Sequence, residues 1–126
     1  MRRRHSGGVR LVLVDNDRSA LELIELDLAL EGHEIVGTAS QAEDAVAVVE
    51  RERPDLVVLD YRMPPGVDGM EAARRIRSRW PEVRVLLYSN YVREELLREA
   101  ARIGATSLRQ GDLAALRRAI VTPTAG

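Results

Sequence analysis

The chain has 126 residues, of which 45% are hydrophobic and 31% charged, as in a single globular domain with an ordinary core. Its net charge of −1 at pH 7 argues against direct nucleic-acid binding, and the lack of cysteine excludes disulfides and thiolate metal sites. No apolar run approaches the roughly 20 residues of a membrane span, so we expect a cytoplasmic protein without membrane contact.

Short β-branched runs alternate with helical stretches along the chain. In chain order the pattern predicts a strand near 9–14, a helix near 18–31, a strand near 34–38, a helix near 41–52, a strand near 55–60, a helix near 69–79, a strand near 83–88, a helix near 92–103, a strand near 106–109 and a helix near 112–121. The first helix shows two leucine-rich stripes, one of Leu21, Ile24 and Leu28 and a second of Leu23, Leu26 and Leu30. Gly32 and Gly104 are predicted to end helices, and Pro54 and Pro81 to separate helices from the strands that follow.

Strands that are apolar on both faces and are joined through helices indicate a parallel sheet covered on both sides. We therefore predict an α/β, doubly wound domain over residues 9–121, with right-handed crossovers. Residues 1–8, which include three arginines in a row, are expected to form a basic flexible tail, and residues 122–126 a second short tail.

Acidic residues follow two of these predicted strands. Asp60 closes the apolar run 56–59, and the first strand is followed by Asp15, Asn16 and Asp17. The carboxyl ends of parallel strands share one edge, so these side chains should meet there if the two strands are neighbours. Clustered carboxylates suit a hard divalent cation such as Mg²⁺, and Asp60 could then be a nucleophile in phosphoryl transfer. The other interpretation of Asp15 or Asp17 is that it caps the first helix.

Two further residues are expected near this edge. Ser89 follows the fourth strand, where its hydroxyl could bind a phosphoryl oxygen, although it could equally be a turn residue. Arg62 lies two residues beyond Asp60, and a solvated side chain is as compatible with its position as a phosphate contact is.

The ordered set of motifs VLVDND, PDLVVLDYRMP with DG behind it, LLYS and GAT resembles the response-regulator receiver domains of two-component signalling over residues 9–121. The resemblance implies a flavodoxin-like (βα)5 fold with strand order 2-1-3-4-5. It also implies phosphoryl transfer from a sensor histidine kinase or phosphotransfer protein to Asp60, sensing by Ser89, and Mg²⁺ held by Asp15, Asn16, Asp60 and the backbone carbonyl of Arg62. Output would pass to a downstream protein through the fourth helix, fifth strand and fifth helix, a face that could also form a homodimer.

Four departures from the family pattern stand out, one of which is that Pro65-Gly66 lengthens the loop after Asp60 by one residue. The second acid of the usual pair is Asn16, which should weaken Mg²⁺ binding unless Asp17 compensates in part. The family's lysine after the fifth strand cannot exist, because all 19 basic residues are arginine; its place falls on Gly111 without a gap, and Arg109 is the nearest possible substitute. The switch aromatic of the fifth strand is replaced by Leu108, with Tyr88 or Tyr91 as possible substitutes.

Two alternatives follow. One is an atypical receiver that works without phosphorylation, as a protein-interaction module. The other is a haloacid-dehalogenase-like phosphatase, because Asp15-Asn16-Asp17 matches the D-x-D that follows an apolar strand in that family; Asp15 would be the nucleophile. That interpretation gives Asp60 no role. In the receiver interpretation the chain is not an enzyme, beyond catalysing its own phosphorylation and dephosphorylation.

Overall fold

The computed structural model describes residues 8–60, 69–89, 94–109 and 112–121. Over these residues strands and helices alternate as β1 (Arg10–Val14), α1 (Arg18–Leu30), β2 (Glu34–Ala39), α2 (Ala42–Glu52), β3 (Leu56–Asp60), α3 (Gly69–Arg79), β4 (Arg84–Ser89), α4 (Glu94–Ile103), β5 (Thr106–Arg109) and α5 (Leu113–Val121). All ten predicted elements are confirmed, each within one or two residues. The predicted start of the fourth helix, at position 92, lies outside the described residues.

The five strands form one parallel sheet in the order β2-β1-β3-β4-β5. This confirms the doubly wound fold and the strand order that the sequence resemblance implied. The chain begins near the middle of the sheet, winds out to β2, and returns across β1 to build the other half. The reversal of winding direction therefore lies between β1 and β3, whose carboxyl ends form the crevice where such folds bind ligands.

Each face of the sheet has its own hydrophobic core. On one face α1 and α5 pack Ile24, Leu28, Leu116 and Ile120 over the strands. On the other face α2, α3 and α4 supply a core that includes Val49, Ile76 and Ala100. β3 lies between the two cores, and all five of its residues are buried. Among the described residues no helix is long and apolar enough to cross a membrane.

Helices α1 and α4 each end at a glycine with the same backbone conformation. Gly32 and Gly104 have φ of +91° and +81°, in the left-handed region that side chains disfavour. The N–H of Gly32 donates to the carbonyl of Ala29 at 3.0 Å, and the N–H of His33 donates to the carbonyl of Leu28 at 3.1 Å. Together these two bonds satisfy carbonyls that the helix end would leave without partners. The sequence prediction that Gly32 and Gly104 end these helices is confirmed.

The two leucine stripes of α1 have different environments. Ile24 and Leu28 are buried, whereas Leu23, Leu26 and Leu30 are 57%, 60% and 77% exposed. An ion pair between Asp27 and Arg117 of α5, in which Arg117 Nε donates to Asp27 Oδ2 at 3.0 Å, joins the two helices beside this exposed stripe. The second stripe is therefore a surface feature rather than part of the core.

Candidate functional site

The predicted acidic residues meet at the carboxyl edge of the sheet because β1 and β3 are neighbours. Val14, the last residue of β1, pairs with Leu59, so Asp15 follows directly beside the end of β3. In β3, Asp60 pairs with Tyr88 of β4, and Tyr88 pairs in turn with Leu108 of β5. Four side chains thus follow one another across the edge of the sheet, beginning with the two acids.

Two of the acids are withdrawn from solvent. Asp15 has 0% of its surface exposed and Asp60 has 4%, although both are charged residues. Burying a carboxylate is unfavourable unless hydrogen bonds or a cation compensate. Two such groups on adjacent strands also repel each other. The edge is therefore a place where a bound cation would relieve an electrostatic penalty.

Asp15 is held by one hydrogen bond to each of its oxygens. The backbone N–H of Asp17 donates to Oδ1 at 2.8 Å. The hydroxyl of Tyr88 donates to Oδ2 at 2.5 Å, across 73 positions of sequence. The second bond is short, as expected where a carboxylate accepts from a hydroxyl. These two bonds fix the orientation of the carboxylate.

Tyr88 is itself buried, with 5% of its surface exposed. Burial is the largest cause that raises the pKa of its phenol, followed by the hydrogen bond to Asp15. The negative charges of Asp15, Asp60 and Asp17 raise this pKa further, which reflects how close the acids lie to the ring. The phenol therefore remains protonated and acts as a donor to Asp15.

Asp17 caps α1. Its Oδ1 accepts from the backbone N–H groups of Ser19 and Ala20 at 3.0 and 3.3 Å. Of the two residues that could have capped this helix, Asp17 does so and Asp15 does not. Asn16 is exposed, and a cleft of about 430 Å³ opens beside it and Asp15, between β2 and α1. The cleft therefore brings solvent close to the Asp15 side of the acidic edge.

The structure describes only part of the remaining predicted site residues. Arg62 and Tyr91 lie outside the described residues, as do Gly111 and Gln110, where the missing lysine falls without a gap or with one deletion. Ser89 is the last residue of β4, one position later than the sequence indicated, and its side chain lies outside what the structure describes. Arg109 ends β5, is exposed, and pairs with Ser89, so its backbone is two strands, or about 10 Å, from β3.

The chemistry of the edge fits a hard divalent cation. Within the described ranges no group of three or more His, Cys, Asp or Glu side chains forms a self-sufficient metal site. Two buried carboxylates, one of them beside a solvent cleft, instead match the way proteins hold Mg²⁺, with few protein oxygens and several waters.

Tyr88 is the residue whose role at this site the sequence pattern did not reveal. Side chains alternate between the two faces of a strand, so Asp60 follows Leu56 and Val58 toward the face covered by α1 and α5. Tyr88 follows Leu86 onto that face. Counting this alternation back from both strand ends would have placed the Tyr88 ring beside the two acids.

Comparison with known proteins gives a consistent result. The family model described as the response regulator receiver domain matches residues 11–108. The transcriptional regulatory protein DegU of Brevibacillus brevis is 32% identical over 115 residues, which cover 89% of this chain and 48% of DegU. This chain spans about half or less of the length of the curated relatives that it matches.

Solved structures agree with the sequence comparison. The signal receiver domain of NarL from Mycobacterium tuberculosis is 31% identical with a TM-score of 0.82, and the match covers 90% of this chain and 93% of that one. The CheX-CheY-BeF3-Mg²⁺ complex from Borrelia burgdorferi contains a chain that is 25% identical with a TM-score of 0.82, covering 88% and 85% of the two chains. The family model, the relatives and the topology together show that this chain belongs to the response regulator receiver domains, the phosphoryl-accepting modules of two-component signalling.

Proposed function

We propose that Asp60 is the residue of this receiver that accepts the phosphoryl group. The main support is its position, at the end of the fully buried strand β3 and beside the buried carboxylate of Asp15. The rigid strand holds the carboxylate in place, and a cleft that opens to solvent lies next to Asp15 on the neighbouring strand. The comparisons favour neither a receiver that works without phosphorylation nor a phosphatase with Asp15 as nucleophile.

The reaction needs one nucleophile and a phosphoryl donor. A carboxylate oxygen of Asp60 attacks phosphorus and forms a new P–O bond, while the bond from phosphorus to the leaving group breaks and the leaving group keeps the electron pair. From a sensor histidine kinase or a phosphotransfer protein the leaving group is an imidazole; from acetyl phosphate it is acetate. The buried position of Asp60 keeps its oxygens poorly hydrated and oriented for this attack.

Asp15 and Asp60 are the described side chains that would hold Mg²⁺, with Asn16 and the carbonyl of Arg62 as proposed further ligands. A bound Mg²⁺ neutralises charge that develops on the phosphoryl oxygens. Asn16 supplies a neutral oxygen where an acid is usual, which supports a weakened affinity. Asp17 is a less suitable ligand, because its Oδ1 already accepts two backbone N–H groups of α1.

Arg109 is the proposed substitute for the missing lysine. Its backbone is about 10 Å from β3, a separation that a long guanidinium side chain can span in part. A planar guanidinium is not equivalent to a compact ammonium, so we expect phosphorylation kinetics that differ from those of lysine-containing receivers. Ser89, at the end of β4, is proposed to bind a phosphoryl oxygen through its hydroxyl.

We further propose that output passes through α4, β5 and α5 to a protein partner or to a second copy of the chain. Leu97 of α4 and Val121 of α5 are 43% and 57% exposed, so this face offers apolar contact area. The proposed receiver unit is 9–121, with 1–8 and 122–126 as flanking segments. Light scattering with and without beryllofluoride tests dimer formation, and a mass that stays monomeric at every concentration would refute it.

Intact-mass measurement after incubation with Mg²⁺ and acetyl phosphate tests the phosphoacceptor directly. Wild-type protein should gain the mass of one phosphoryl group, and Asp60→Asn should gain none. Asp44→Asn, a change at an exposed acid on α2, is the matched control and should be modified like wild type. A phosphoryl adduct on the Asp60→Asn protein, or none on wild type with any divalent ion, would contradict the proposal.

A further inference from the structure

The hydrogen bond from Tyr88 occupies one oxygen of Asp15, a carboxylate that the proposed function assigns to a cation. Asp15 Oδ1 is bound to the backbone N–H of Asp17, which belongs to the connection between β1 and α1 and cannot leave without displacing that helix. The donor to Oδ2 is a side chain, which can rotate about its own bonds. Oδ2 is therefore the oxygen that Asp15 can release to another partner.

A cation and the Tyr88 hydroxyl compete for this oxygen. The hydroxyl presents its positive hydrogen to Oδ2 at an O···O distance of 2.5 Å. A divalent ion at an Mg–O distance of about 2.1 Å would place a second positive charge against that hydrogen. The ion therefore weakens or replaces the tyrosine bond. Replacing a charge-assisted hydrogen bond in a buried site lowers the apparent ion affinity by about tenfold or more.

The ring of Tyr88 has space to move if its hydroxyl is released. A cavity of about 150 Å³ lies between α1 and α5, lined in part by Tyr88, Leu108, Ile24 and Leu116. A cavity of that size is large enough to accommodate a benzene molecule in a protein core. Leu108 on β5 is the register partner of Tyr88 on β4. Leu108 occupies the position of the family's switch aromatic, and because its side chain is smaller than an aromatic ring, the cavity lies beside the ring of Tyr88.

We propose that Tyr88 is a positioning residue that holds Asp15 in the ion-free state and is released by ion binding, which transmits occupation of the acidic site to the cavity between α1 and α5. The inference rests on the proposed Mg²⁺ site. Tyr88 acts through its hydrogen bond to Asp15. In this chain the ring of Tyr88 on β4 would thus move when the acidic site is occupied, as Leu108 on β5 lacks the aromatic ring to do.

Isothermal titration calorimetry of the 126-residue chain with Mg²⁺ tests the competition. Tyr88→Phe keeps the ring and removes the hydroxyl, and it should bind Mg²⁺ about tenfold more tightly than wild type. Ser107→Ala is the matched control, because it removes a hydroxyl from β5 at a residue that pairs with Leu87, on the opposite face of the sheet; its affinity should equal that of wild type. A purely structural role for Tyr88 predicts lower thermal stability with unchanged or weaker ion binding.

Tyrosine 13Cζ NMR on the wild-type chain gives a second measurement that needs no change at Tyr88. The chain has three tyrosines, and Tyr61→Phe and Tyr91→Phe assign their signals by elimination. The Tyr88 signal should shift during the Mg²⁺ titration with the same midpoint as the calorimetric binding. This measurement decides the matter if the Tyr88→Phe protein does not fold.

The outcomes separate the inference from the function on which it rests. If wild type binds Mg²⁺ but the Tyr88 signal stays fixed, or if Tyr88→Phe binds Mg²⁺ equally or more weakly, the inference is wrong and the Mg²⁺ site stands. If wild type binds no Mg²⁺ at all, the proposed metal site is wrong and the inference falls with it.

Discussion

Replacing Asp17 separates capping of α1 from cation binding, the two roles considered for this carboxylate. In Asp17→Ala, the N–H groups of Ser19 and Ala20 lose their side-chain acceptor. Loss of such a cap costs about 1 kcal/mol. The first turn of α1 has no acidic residue, so losing the charge beside the positive helix end adds about 0.5 kcal/mol. For a chain of this size a total near 1.5 kcal/mol corresponds to a fall in Tm of about 6 °C.

Asp17→Ser is the matched variant, because serine also caps helices but has no charge. It should lose only about 0.5 kcal/mol, or about 2 °C in Tm. Thermal unfolding followed by circular dichroism measures both variants, and calorimetry measures their Mg²⁺ affinity. Both should bind Mg²⁺ within about threefold of wild type, because an exposed charge contributes little at a distance. A tenfold weaker affinity in Asp17→Ser, with stability retained, would show that Asp17 is a metal ligand and refute this reasoning.

Three further predictions follow from described contacts. Gly37→Ala should destabilise the fold by about 1–3 kcal/mol in chemical unfolding, because the new Cβ would lie 2.7 Å from Cγ1 of Val48; unchanged stability would contradict this packing. Burial lowers the pKa of His33 from its ordinary 6.5, so the unfolded state takes up the proton first and stability should fall as pH drops below about 6.5 toward that lowered pKa. His33→Gln should flatten this part of the pH profile, and an unaltered slope would assign it to other groups. Leu97→Glu should weaken any self-association seen by light scattering, whereas Leu26→Glu on α1 should not; the reverse result would move the interface to α1.

The order and bounds of the elements were predictable because the determinants are local. Gly32 and Gly104 end helices through their own backbone conformation, and Pro54 separates α2 from β3 within a few residues. The meeting of Asp15 and Asp60 was predictable as well, since it requires only that β1 and β3 are neighbours in a parallel sheet. Local sequence patterns and the shared carboxyl edge of parallel strands were therefore sufficient to predict the elements and the meeting of the two acids.

The bond between Tyr88 and Asp15 required information that local patterns lack. Its partners are 73 residues apart, and the bond depends on the register of β3 against β4 as well as on which face each side chain occupies. The same limit applies to Arg84, whose guanidinium donates to the carbonyls of Ala119 and Ile120 at 2.7 and 2.9 Å and so caps the distant end of α5. The structure was also needed to distinguish capping from metal binding for Asp17, because a carboxylate at this position suits both roles.

The complete burial of β3 also limits how this receiver can diversify. The strand is hydrogen-bonded to β1 and β4 and covered by both cores, so almost any substitution in it would lower stability before it altered signalling. Its amide protons should exchange only when the whole domain unfolds. Substitutions that change partner choice or response lifetime without loss of the fold are therefore expected at positions outside β3, the strand that ends in Asp60.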